Sequence, residues 1–298
     1  STVTKNHRLT GILAVAAAAT MWGTVGPVVQ LFPEGTAFQY ATMRNIFGVI
    51  TLWLMVALSK DKRRYQKSDI FPVLVGGIGT AAFMPFYTLG FQRTGVAVAS
   101  MLAIGAAPLF TGLLGRVAFG RRPERNWFIG TGLAVVGIAA LNAPTEGTTV
   151  KVAGALFALG AALSYTFQAT GMEMATKRLS AVQCVAPIWT IGMLLQAPLV
   201  IGRDFSFLSD PILVAGVIYG GVFTVAISFS MFTWGVARVG AATAVTVGLM
   251  EPITTATLGV TVLGERLSTL AFVGIVFVLA GLVVVSRPGK TPPIVLEP

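Results

Sequence analysis

The sequence predicts an all-α membrane protein, with ten transmembrane helices arranged as two inverted five-helix repeats. Three observations carry this prediction. Of 298 residues, 55% are hydrophobic and 11% are charged, against roughly 25% charged in a soluble domain. Long apolar runs recur along the whole chain. The second half of the chain repeats the first.

The apolar runs cover residues 9–31, 37–58, 70–91, 95–119, 127–141, 152–175, 182–201, 211–236, 240–263 and 269–285. A helix needs ~20 apolar residues to cross a ~30 Å hydrocarbon core. The fifth and tenth runs are short by this measure. The eighth and ninth are separated only around Arg238-Val239-Gly240. Helix is the default because lipid leaves an open sheet edge unpaired. No run shows the alternation of a membrane β-barrel. The first run follows the N-terminal residues without a cleavage signal, so it is expected to be a span rather than a leader.

Composition also excludes other classes. Cys184 is the only cysteine and His7 the only histidine, which rules out a disulfide framework and a His/Cys metal centre. No metal and no cofactor are expected. The net charge is +10, but the basic residues do not form one nucleic-acid-binding patch. They lie in short clusters between the apolar runs, as in cytoplasmic loops. With the N-terminus inside and ten alternating spans, 16 Lys/Arg fall inside, 4 outside (Arg93, Lys151, Arg203, Arg266), and Arg44 lies within a span. Both termini are therefore expected in the cytoplasm.

The repeat emerges at a shift of 144 residues. It pairs Pro108/Pro252, Thr111/Thr255, Leu114/Leu258, Gly115/Gly259, Gly120/Gly264, Phe128/Phe272, Gly130/Gly274 and Gly137/Gly281. At a shift of 143, Gly11, Ala18, Ala19 and Trp22 pair with Gly154, Ala161, Ala162 and Tyr165. Five spans per half is an odd number, so the second half enters the membrane from the opposite side. Inverted repeats are common among secondary transporters, with the substrate bound at mid-membrane between the halves. The halves are 9–142 and 151–286, followed by a flexible cytoplasmic tail over 287–298.

Several motifs carry a family resemblance: Ala19-Thr20-Met21-Trp22-Gly23, Met43-Arg44-Asn45, Ala107-Pro108-Leu109, Phe119-Gly120-Arg121-Arg122-Pro123, Ser164-Tyr165, Glu251-Pro252 and Leu263-Gly264-Glu265-Arg266-Leu267. Together they resemble the EamA-type drug/metabolite transporter family over about residues 9–286, and within it the bacterial aromatic amino acid exporters. Arg121 departs from the family pattern, which often has an acid there. The resemblance implies export of amino acids, aromatic or otherwise bulky and apolar, across the bacterial inner membrane. Drugs, nucleotide sugars or other small metabolites are the alternative cargo. The sequence has no Walker motif, so ATP is not expected to drive transport directly.

Candidate binding residues follow from depth and polarity. Trp22 and Tyr165 each lie thirteen residues into oppositely running spans, ~20 Å deep at ~1.5 Å per residue. Both combine an apolar ring with a polar tip. Pro108 and Pro252 fall near the middle of their runs, where proline frees a carbonyl. Phe83, Phe86 and Tyr87 share one helical stripe, of which Phe83 and Tyr87 are candidates. Ser100, Gln168, Thr243 and Thr246 offer hydrogen bonds within spans. Glu251, mid-span, and Arg44, ~10 Å from the outer end of its helix, are ionisable residues inside spans and read as functional by default; Arg44 is also close enough to that end to snorkel or pair. The implied partners are a small-molecule substrate and the lipid bilayer, not nucleic acid.

Reporter fusions test the topology. Reporters after Lys67, Arg125 and Lys290 are expected in the cytoplasm, and those after Lys151 and Asp210 outside. An external signal after Arg125 overturns the ten-span arrangement.

Overall fold

The computed structural model describes residues 2–61, 63–143, 151–262, 264 and 266–287. Most of the tail expected over 287–298 lies outside the described residues, as do Leu263 and Glu265 of the last motif. Regular structure among the described residues is helical throughout. The first half contains α1 (Thr2–Gly23), α2 (Val25–Val29), α3 (Ala37–Leu58), α4 (Ile70–Thr94), α5 (Val96–Phe119) and α6 (Arg125–Leu141). The second contains α7 (Val152–Ala175), α8 (Ala181–Gln196), α9 (Pro211–Gly221), α10 (Ser228–Val239), α11 (Ala241–Val247), α12 (Met250–Thr261) and α13 (Thr269–Ser286).

Eight helical segments are long and apolar enough to cross a membrane, and α6 is a shorter apolar helix of 17 residues. The ninth apolar run does not form one rod. It divides at Gly248 and Leu249 into α11, of 7 residues, and α12, of 12. Pro252 therefore occupies the first turn of a new helix rather than the middle of an old one. An absent N–H is harmless there, because the first helical amides have no intrahelical acceptor. Pro108 does lie inside its helix. The first run also breaks, at Thr24, ahead of the short α2 that contains Pro27.

Local signals explain the other boundaries. Gly240 has φ +80° and separates α10 from α11, and Gly95, with φ +82°, separates α4 from α5. Only glycine takes this conformation without strain. Ser180 caps α8 through a reciprocal box with Gln183, and Ser268 accepts from the Ala271 amide at 3.1 Å to start α13. Beneath the loops, buried Asp69 accepts from Arg178 Nε at 2.9 Å.

The helices are held by close backbone approach at glycine. Helices α4 and α7 run antiparallel: Gly171 lies against Gly76 and Pro72, Gly79 against Ser164 and Gln168, and Gly90 against Ala158. Helices α6 and α13 pair in the same sense. Gly130 abuts the carbonyl of Gly281, and Gly137 that of Gly274. These contacts are reciprocal, since the repeat pairs Gly130 with Gly274 and Gly137 with Gly281. The same exchange recurs elsewhere. Gly11 packs on Arg238 and Val239, and its counterpart Gly154 packs on Arg93 and Thr94.

The counterparts also reveal one extra residue in the second half. Gly77 and Gly221, at a shift of 144, meet Ile191 and Phe47, themselves counterparts. Beyond that point the shift is 145, as for Gly95/Gly240 and Arg93/Arg238. Between them Val222–Ile227 forms a π-helical turn, which takes up an inserted residue. The shift returns to 144 at Pro108/Pro252, across the break at Gly248 and Leu249.

One substitution made at two glycines of α6 tests this packing. A Cβ on Gly137 meets the Gly274 carbonyl oxygen at 2.6 Å, whereas one on Gly132 meets nothing within 4 Å. Gly137→Ala is expected to destabilise by about 1–3 kcal/mol through overpacking, and Gly132→Ala to leave the melting temperature near wild type. Thermal unfolding in detergent measures both. Equal melting temperatures for the two variants contradict the packing described.

Candidate functional site

A cavity of about 250 Å³ lies among α1, α3, α4, α7, α8, α10 and the break in the ninth run. It exceeds the roughly 150 Å³ that admits a benzene ring in an engineered core. Helix α1 contributes Trp22, α4 contributes Phe83 and Tyr87, α7 contributes Tyr165 and Gln168, and α12 contributes Glu251. Six of the eleven residues expected from sequence therefore meet at one place.

The aromatic wall is continuous. Trp22 donates its indole N–H to Ser228 Oγ at 2.9 Å and packs on Phe229 and Phe232, with ring centroids 4.6 and 5.2 Å away. Tyr165 meets Trp22 edge-on at 6.5 Å and Phe83 at 6.3 Å. Phe83 stacks on Tyr87 at 5.8 Å with planes 7° apart. Trp22 and Tyr165 are repeat counterparts and touch each other, so they sit where the two halves meet. Phe86, on the same stripe of α4, turns away toward Phe157 and is 37% exposed.

A polar strip also lines the cavity. Gln168 Nε2 donates to Thr80 Oγ1 at 2.7 Å, Gln196 Nε2 to the Ala81 carbonyl at 3.0 Å, and Asn45 Nδ2 to Gln196 Oε1 at 3.0 Å. Four helices are joined by these bonds. Asn45 Oδ1, Tyr165 Oη and Trp189 Nε1 are buried without a hydrogen-bond partner among the described residues, and all three residues line the cavity. Arg44 and Glu251 line it as well.

The other five expected residues lie outside this lining. Ser100 shares a 2.7 Å hydrogen bond with Tyr87 Oη and so orients a wall residue. Thr246 shares a 3.0 Å bond with Thr131 and ties α11 to α6. Pro108 and Pro252 act one turn away: Ile104 and Gly248, four residues before each, both line the cavity. Proline cannot donate to either carbonyl, and the Gly248 oxygen instead accepts from the Glu251 amide at 3.0 Å.

Thr243 lines a second cavity, of about 170 Å³, with Arg8, Arg121 and Glu173. Arg8 is fourteen residues before Trp22, about 21 Å along α1. There Arg121, at the end of the first half's α5, pairs with Glu173 of α7. The second Glu173 oxygen accepts from the Ala241 amide at 2.9 Å. The departure from the family pattern at Arg121 thus makes an ion pair between the halves.

Sequence reasoning misses Asn45, Thr80, Trp189, Gln196 and Phe229 as lining residues, and does not place Arg44 among the binding residues. A signal existed for some of them. Asn45 belongs to the Met43-Arg44-Asn45 motif, Trp189 is its counterpart at 144, and Gln196 is a polar group within an apolar run.

Comparison with known proteins gives the family. The model of the EamA-like transporter family matches residues 9–143 and again 152–287. The chain belongs to the EamA-like transporter family. An uncharacterized transporter of Bacillus subtilis (strain 168), YwfM, is 33% identical over 92% of this chain and 93% of that protein. The uncharacterized inner membrane transporter YicL of Salmonella typhimurium (strain LT2) is 21% identical over 94% and 96%. A crystal structure superposes with a TM-score of 0.74 at 18% identity, covering 92% of this chain and 95% of that one; at this identity the likeness concerns fold. This EamA-like chain is thus a multi-pass membrane protein of a transporter family, with two EamA repeats.

Trp22→Ala and Tyr165→Ala probe the aromatic wall. Good aromatic contacts contribute of order 1 kcal/mol each, so each variant is expected to lose severalfold in transport while still folding. Transport per folded molecule, measured in proteoliposomes, tests this. Wild-type rates in both variants remove these residues from the site.

Proposed function

We propose that this chain is an inner-membrane secondary transporter that exports amino acids with aromatic or other bulky apolar side chains. Transport proceeds by alternating access between two inverted five-helix halves, 9–142 and 151–286, with both termini cytoplasmic. The observation that carries the cargo assignment is the central cavity. Trp22, Phe83, Tyr87 and Tyr165 offer apolar faces to a bulky side chain, and Gln168 and Glu251 bring hydrogen-bonding and charged groups to the same space. The resemblance to aromatic amino acid exporters points the same way.

Support for the inverted arrangement comes from the α6–α13 pair. Its glycine contacts are reciprocal and its helices antiparallel. A two-fold axis that exchanges antiparallel helices runs perpendicular to them, which in a bilayer lies in the membrane plane. The orientation rests on the basic asymmetry of the loops. Ser100, Pro108 and Pro252 support the wall from behind, and Thr246 fastens the broken ninth run. Thr243 belongs to the second cavity, on the cytoplasmic side in this orientation, where Arg121 and Glu173 join the halves.

Counterflow in proteoliposomes tests the cargo. Purified protein is reconstituted with unlabelled compounds inside, and uptake of labelled phenylalanine is followed. Internal phenylalanine, tryptophan or leucine is expected to accelerate uptake saturably, whereas internal nucleotide sugars and cationic drugs are not. Acceleration by those compounds and by no amino acid overturns the proposal.

A further inference from the structure

The two charges at the central cavity are not required to build it. At the repeat shift of 144, Arg44 corresponds to Ile188 and Glu251 to Ala107. The structural roles of these positions are the same in both halves. Gly220 lies against the side chain of Arg44 as Gly76 lies against that of Ile188. Ala107 and Glu251 each immediately precede the matched prolines. The scaffold therefore accepts an apolar residue at either position. An ionisable side chain within a membrane is costly and persists where it faces a cavity or a partner.

Among the described residues neither charge is taken up by a direct ion pair, although the Tyr40 hydroxyl lies beside the Arg44 side chain at Gly220. The Arg44 Nε is buried with no hydrogen-bond partner among those residues. The two groups nevertheless line the same cavity. They share this space without forming a direct ion pair with each other. Had they paired, a ligand would have to break that pair before using either charge.

We infer that Arg44 and Glu251 are the two poles of a zwitterion site, Arg44 taking the carboxylate of the substrate and Glu251 its ammonium group. This inference rests on the amino acid reading given above and adds to it what the cavity requires of the substrate's two ends. A guanidinium presents paired N–H donors that match a carboxylate. A carboxylate accepts from an ammonium group. A zwitterion neutralises both poles at once and adds no net charge to a low-dielectric site. A singly charged analogue of the same shape leaves one pole uncompensated, where removal from water is penalised. Selectivity should therefore favour the free amino acid over analogues blocked at either end.

The test uses three probes in the same counterflow assay: phenylalanine, phenylalaninamide, which lacks the carboxylate, and N-acetylphenylalanine, which lacks the ammonium. Wild-type protein is expected to prefer phenylalanine over each analogue by about tenfold or more, the scale of a charge-assisted hydrogen bond. Arg44→Gln should abolish the preference over the amide and keep that over the N-acetyl compound. Glu251→Gln should do the reverse. Arg44→Lys, which retains the charge, should keep part of the carboxylate preference and covers the case in which Arg44→Gln does not fold. Equal loss for all three probes in each variant assigns these residues to structure and overturns the inference. Wild-type exchange of phenylalanine without discrimination against either analogue also overturns it, leaving the amino acid reading intact. Exchange of none of the three overturns both.

Discussion

Close backbone contact at glycine is the constraint on which the rest of this structure depends. In lipid, apolar side chains gain little by leaving acyl chains for one another, so helices associate where small residues let their backbones approach. Gly76, Gly79 and Gly90 hold α4 against α7 in this way, and Gly130 and Gly137 hold α6 against α13. The cavity is a product of the same spacing. Phe83 and Tyr87 lie between Gly79 and Gly90 on α4. The helix is therefore clamped to α7 above and below the place where it presents its rings. Side chains too large for the clamps have room only in the space between them.

Polar groups are distributed unequally between the two cavities. At the central cavity, Asn45, Gln196, Thr80 and Gln168 form a strip linking α3, α8, α4 and α7, in which Asn45 Oδ1 has no hydrogen-bond partner among the described residues. At the other cavity, the Glu173 carboxylate is fully engaged, one oxygen by Arg121 and the other by the Ala241 amide. The cavity near Arg8 is thus closed by polar contacts between the halves, while the central cavity has polar groups left unpaired in its wall.

Much of the fold was legible in the sequence because a membrane imposes simple rules. Apolar runs of sufficient length had to be helical, and the limits of α3 and α7 coincide with those of their runs. The failure came at the ninth run, where hydropathy continues without a gap through Gly248 and Leu249. Hydropathy records which residues tolerate lipid but not where the backbone breaks, and the adjacent Pro252 admits either an interior kink or a helix start. The site was partly legible for similar reasons. Depth arithmetic found Trp22 and Tyr165 because matched residues on antiparallel spans must cross at one level. Depth did not distinguish Tyr87 from Phe86 on their shared stripe, where only the Tyr87 hydroxyl marked it as a candidate, and it could not tell that Thr246 is taken by Thr131. Which face of a helix meets a cavity depends on packing angles that no single run contains.

The π-helical turn at Val222–Ile227 marks where the two halves differ in length. An extra residue in an α-helix rotates everything after it by about 100°, which would swing the contact face of α10 away from α1. A widened turn absorbs the addition where it occurs, so Gly235 still meets α1 as Gly90 meets α7. A compensating residue is missing near Gly248, and the later helices regain the original count. Between these two edits lie Ser228, Phe229 and Phe232, against which Trp22 packs, and their counterparts in the first half are Phe83, Met84 and Tyr87. The two halves thus carry different linings within a shared frame, because the length difference between them is confined to one stretch of chain.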